Sequence, residues 1–144
     1  MKILIIICSY KIEFNKNNGN LFTHLITPLK KKYNVDLASI TTKNQTNIIK
    51  KHCKFNIECN EDVGQLSKIC KLFEIINYND YDFYIKVRPE LIFYNIFDSN
   101  LLESLSKNKM NCRVRKYRGP KINKKYGMSC SLDDRKIDDV LISE

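Results

Sequence analysis

The chain has 144 residues, 43% of them apolar, with four glycines and three prolines, which specifies one packed domain and excludes a linker or low-complexity protein. Its longest apolar run, Ile3–Cys8, is far short of the roughly 20 residues a membrane-spanning helix needs. The net charge of +9 is concentrated: Lys107–Lys125 holds nine basic and no acidic residues, and the other 16 basic residues balance the 16 acidic ones.

Lys2–Cys8 reads as a strand buried on both faces, the pattern of a parallel sheet. The run is also too short for a signal-peptide core, and no small-residue cleavage site follows it. A cytoplasmic location is therefore expected (the host cytoplasm if the protein is viral). The wealth of Asn, Ile and Lys fits an AT-rich genome such as that of a large DNA virus. None of the six cysteines forms a C-x-x-C pair, so free buried thiols are expected rather than zinc.

Ser9–Asn20 reads as a loop at that strand's carboxyl end. Asn20 is a good cap for a helix whose stripe is Leu21, Phe22, Leu25, Ile26 and Leu29. Pro28 should disturb its last turn. Val35–Ile40 is a second buried strand, and Thr46–Cys53 a short helix with Ile48 and Ile49 inward. Phe55–Cys59 alternates like a short strand. Asn60 should cap a helix burying Val63, Leu66, Ile69, Cys70, Phe73 and Ile76. In Tyr81–Val87 the residues Tyr81, Phe83, Ile85 and Val87 alternate with Asp82, Tyr84, Lys86 and Arg88. Asp98 or Ser99 can cap a helix carrying Leu101, Leu102 and Leu105, and Cys112–Tyr117 a basic strand. The alternation predicts an α/β domain: an open, mostly parallel sheet with helices on both faces.

The segment from Asp80 to Phe93 carries the most chemistry. It delivers Arg88 and Glu90, held about Pro89, to the carboxyl end of a strand expected in the middle of the sheet, the edge where open α/β sheets bind ligands. Arginine grips phosphate through two parallel hydrogen bonds, and a carboxylate can ligate a divalent cation. Arg88-Pro89-Glu90-Leu91 resembles the signature of bacterial and viral glycosyltransferase-like proteins of the GT-A kind, where Arg-Pro-Asp stands in place of the Asp-X-Asp metal motif. Here Glu90 replaces the aspartate. Lys2–Ile7, Leu25–Leu37 and the acidic stretch Ser131–Val140 resemble other parts of that group in order.

The resemblance implies a Rossmann-like, nucleotide-sugar-binding GT-A domain over residues 1–144, incomplete at its carboxyl end. It implies a metal-dependent glycosyltransferase using a nucleoside-diphosphate sugar and an unknown glycan, lipid or protein acceptor. Glu90, with Asp138 or Asp139, would hold Mn²⁺ or Mg²⁺. Ser9, Tyr10, Arg88, Asp138 and Asp139 would lie at the donor and its diphosphate. No catalytic base is identified. Two other readings stay open. One is a non-catalytic basic domain in which residues 107–125 bind nucleic acid or another polyanion. The other is an inactive glycosyltransferase remnant.

Overall fold

The computed structural model describes residues 1–13, 20–89, 93 and 95–105, together with the backbone of 111–113 and 141–143. The chain divides into two compact units, Met1–Glu103 and Ser104–Glu144.

The first unit is built on a four-stranded, all-parallel sheet. Its strands are β1 (Lys2–Cys8), β2 (Asn34–Thr42), β3 (Phe55–Cys59) and β4 (Phe83–Val87), in the spatial order β3-β2-β1-β4. Ile3 to Cys8 are all buried, as an interior parallel strand requires. β4 instead forms an edge of the described sheet, contrary to the expectation of a middle position. Its composition explains this. Tyr84 is only half-buried and Lys86 is exposed, whereas β1 offers apolar side chains on both faces.

The strand register sorts the core into two layers. Leu4, Ile6 and Cys8 point with Ala38 and Ile40 toward α2 (Gln65–Phe73), where Leu72 and Ile76 meet them. Ile3, Ile5 and Ile7 point the other way, level with Leu37 and Ser39. That face takes the first helix, whose Ile26 borders the same cleft as Leu37. Helices thus cover both faces of the sheet.

The first helix shows how one residue redirects a backbone. Pro28 has no N–H to give to the carbonyl of His24. That carbonyl accepts instead from Phe97 N at 2.7 Å. Just before the proline the helix widens to a π turn over Phe22–Ile26, where Thr27 N bonds Phe22 O, and it resumes as α1 (Thr27–Lys32). One turn earlier the Asn20 side chain pairs with the backbone of Phe93, donating to its carbonyl at 2.6 Å and accepting its N–H at 3.2 Å.

The α2 helix departs from expectation in two ways. It begins at Gln65 after Gly64, not at Asn60. It also buries Lys68, Leu72 and, beyond its end, Ile76, whereas Leu66 is 79% exposed and Cys70 and Phe73 lie outside too. The buried positions recur every four residues, so the face is a proper helical one displaced by a lysine that composition alone would send to solvent. Between β2 and β3 a single 3-10 turn, Lys50–His52, replaces the expected helix, with Ile49 buried.

The amino end of the sheet is tied by polar groups. Lys2 N donates to Asp82 Oδ2 at 2.7 Å and Asp82 N to Lys2 O at 2.8 Å. Tyr81 departs from the alternation that grouped it with Phe83 and joins the α2-face core, edge-on to Tyr84. Its hydroxyl donates to Asp36 Oδ2 at 2.7 Å, and Lys54 Nζ approaches the same oxygen at 2.8 Å. Burial pushes the Asp36 carboxyl up, but these two hydrogen bonds and the charges of Lys54 and Lys2 outweigh it and hold it below its usual range.

On the opposite layer, Ser39 Oγ donates to Asn56 Oδ1 at 2.6 Å and accepts from Asn47 Nδ2 at 2.9 Å. The Thr41 hydroxyl is buried there without a partner among the described residues. In the second unit the backbones of β5 (Asn111–Arg113) and β6 (Leu141–Ser143) pair antiparallel. The rest of the expected basic strand, residues 114–117, lies outside the described residues, as does most of 107–125.

Candidate functional site

All four parallel strands end at one edge. From β1 the chain steps outward to β2 and β3, then returns to the other side of β1 as β4. Such a reversal leaves a crevice beyond the carboxyl ends of the two diverging strands, the usual ligand position in open parallel sheets. Here the reversal falls between β1 and β4, so the loops after Cys8 and Val87 flank that point.

The sequence-predicted residues are only partly gathered there. Ser9 is half-buried and its N–H bonds Ile40 O at 3.1 Å, continuing the β1–β2 ladder by one step. Arg88 follows β4 directly and is exposed, beside a buried Pro89. Tyr10 is drawn elsewhere. Its hydroxyl donates to Glu61 Oε1 at 2.6 Å, beyond the end of β3, and its carbonyl accepts from Thr42 N at 3.0 Å. The bond to Glu61, with burial and the Glu61 charge behind it, raises the phenol above its ordinary value. Downstream, Ile12 pairs with the strand-like segment at Asn47, so the loop after β1 leans toward β2 and away from Arg88. Glu90, Asp138 and Asp139 lie outside the described residues.

What the fold brings together at this edge is a set of cations that the sequence reading did not single out as a site. On the α2 face, Cys8, Thr42 and Cys59 close three neighbouring strands, with Thr42 opposite Cys59 in register. Above them is Lys68, in the first turn of α2 and only 6% exposed, whose Nζ donates to Thr42 Oγ1 at 2.9 Å. Lys86, on the same face of β4, reaches Gln65 Oε1 at 3.1 Å and so stands at the start of α2. Burial pushes the Cys8 thiol up, while Lys86, Lys68 and Arg88 all lie near enough for their charges to pull against it. The net shift is upward, which makes Cys8 a protonated thiol at neutral pH and not a nucleophile. One sequence signal was available for Lys68: it stands four residues before Leu72 and eight before Ile76.

Among the described residues no group of three or more His, Cys, Asp or Glu side chains could hold a metal ion. On the α2 face of this edge they supply cations, hydroxyls and thiols, which is not a donor set for a hard divalent cation. A shallow cleft of about 370 Å³, bordered by Phe22, Lys30, Leu37 and His52, opens on the opposite face of the sheet and contains none of the candidate residues. No helix among the described residues is long and apolar enough to cross a membrane. Comparison of the chain with protein-family models, with curated proteins and with solved structures gives no match.

Proposed function

We propose that the chain binds a nucleoside-diphosphate sugar at the carboxyl edge between β1 and β4 and transfers its sugar to an acceptor hydroxyl. The observation that carries this reading is the reversal of strand order beside Arg88. The resemblance of Arg88-Pro89-Glu90 to the GT-A signature supplies the substrate class.

In this reading the guanidinium of Arg88 binds diphosphate oxygens. As the acceptor oxygen bonds to the anomeric carbon, the bond from that carbon to the diphosphate breaks, its electron pair leaves on the diphosphate, and the hydroxyl proton passes to the departing diphosphate or to water. Fixed positive charge at that point lowers the barrier. A Mn²⁺ or Mg²⁺ ion with Glu90 among its ligands would supply further charge neutralisation when bound.

The test is a thermal-shift series on the whole chain with UDP- and GDP-sugars, with and without Mn²⁺. One donor should raise Tm by about 5 °C or more near 100 Kd, and Arg88→Ala should abolish the rise. Absence of a shift with every donor would overturn the proposal. The charge of Lys107–Lys125 favours a second reading, binding of nucleic acid or another polyanion, whose mark would be salt-sensitive retention of an unrelated duplex.

A further inference from the structure

Lys68 is an anomaly. Its ammonium is buried, and its hydrogen-bond partner is a neutral hydroxyl, that of Thr42. No acidic side chain among the described residues pairs with it, although four other lysines form ion pairs at the surface. A buried charge without a counter-charge is costly, and an ammonium has three N–H bonds to satisfy. Its position adds to the cost. Lys68 sits in the first turn of α2, where the helix already presents the positive end of its dipole and where Gly64 provides no side-chain cap. Lys86, at Gln65, and Arg88, which follows β4, bring two more positive charges toward the end of β1 at Cys8. The buried ammonium and the uncapped helix start are both offset by the same event: the arrival of an anion.

We infer that Lys68, oriented by Thr42 and flanked by Lys86 and Arg88, is the phosphate-binding residue of this edge. Its ligand class is a phosphoryl or diphosphoryl group. The inference rests on the proposed sugar-nucleotide site for its biological substrate, but the phosphate chemistry can be tested without any nucleoside. The Nζ keeps one N–H on Thr42 Oγ1 and gives the others to phosphate oxygens. Thr42 holds the ammonium at the end of β2, while the uncapped first turn of α2 favours the same negative charge. Lys68 is thus a binding residue and Thr42 a positioning residue.

The experiment uses the full chain and two probes in parallel, inorganic pyrophosphate and the UDP- and GDP-sugar series, followed by calorimetric titration. Lys68→Met keeps the length and apolar stem of the side chain and removes the charge. It should weaken pyrophosphate binding by about tenfold or more, as expected for loss of a charge-assisted hydrogen bond. The same variant should leave the Tm of the free protein unchanged or raise it, because an uncompensated buried charge has been removed. Thr42→Val, which retains Lys68, should weaken pyrophosphate by a smaller factor. It also serves if Lys68→Met does not fold.

Pyrophosphate binding that needs Lys68, with no response to any sugar nucleotide, would support this inference and overturn the proposed function. Sugar-nucleotide binding unaltered in Lys68→Met would do the reverse. A lower Tm in Lys68→Met with unchanged pyrophosphate affinity would assign Lys68 a packing role and overturn the inference. Failure of pyrophosphate to bind the unmodified chain would overturn it too.

Discussion

Replacing Tyr81 by phenylalanine tests the polar tie at the amino end of the sheet with little else disturbed. The ring is 7% exposed in the α2-face core and lies under Lys2 Nζ at 4.7 Å, and Tyr81→Phe keeps both contacts. What is lost is the 2.7 Å hydrogen bond to the Asp36 carboxylate, with a long bond accepted from Lys54 Nζ at 3.4 Å. A bond to a charged acceptor contributes about 1.5–3 kcal/mol net. Asp36 retains Lys54 and is partly open to water, which places the expected loss near the lower end, about 1–2 kcal/mol at neutral pH.

The loss has a defined pH dependence. Burial first, and then the bond to Asp36, push the Tyr81 phenol from its ordinary 10 up to about 12. The folded chain therefore keeps a proton that the unfolded chain releases. This contribution is intact below about pH 10 and disappears as pH rises through about 12. The gap between the unmodified chain and Tyr81→Phe should shrink across that window. Urea unfolding followed by circular dichroism, at neutral pH and in steps from about pH 10 to 12, measures it. Equal stability at neutral pH, or a gap that stays constant into alkali, would refute the reasoning.

Three further substitutions test polar groups in the first unit. Ser39→Ala should cost about 1–3 kcal/mol in urea unfolding, since it strands the Asn47 amide and the Asn56 carbonyl, whereas Thr41→Val, which removes a buried hydroxyl that has no partner, should be neutral or stabilising by up to about 1 kcal/mol. Asn20→Ala releases both backbone groups of Phe93 and should lower stability by about 1–2 kcal/mol, with faster hydrogen exchange at the Phe93 amide as its local signature.

Much of the layer architecture was legible in the sequence because each strand carries its own pattern. The unbroken apolar run of β1 required burial on two faces, and the alternation through Phe83–Val87 required one face to be wetter than the other. That Pro28 would disturb the helix was legible because a missing N–H is a local fact, but the irregularity falls in the turn before the proline and the last turn is regular α-helix, contrary to expectation. The resolution of that disturbance was not legible, since the substitute donor comes from Phe97, distant in the chain.

The candidate site was legible only at Arg88 and in the edge on which it stands. Tyr10 follows β1 just as Ser9 does, and nothing local shows that Glu61 holds its hydroxyl. Lys68 escaped notice because Leu66 and Phe73 are better apolar candidates for a buried face. The choice between two helical stripes was made by tertiary contact with Cys8, Ile40 and Cys59, which propensity does not encode.

The sheet contains no hairpin, and this governs how the molecule comes into being. Every pairing in it is parallel and joins segments separated by a crossover. The most distant pairing sets Ile3 beside Phe83 and creates the reversal of strand order itself. During synthesis β2 can dock early, but the other side of β1, rich in isoleucine, stays an unprotected ribbon until β4 has emerged. The junction of β1 and β4 has no partial form. It exists only after the ribosome has released most of the first unit, and until then that side of β1 is an unpaired strand edge open to adhesion by a neighbouring nascent chain.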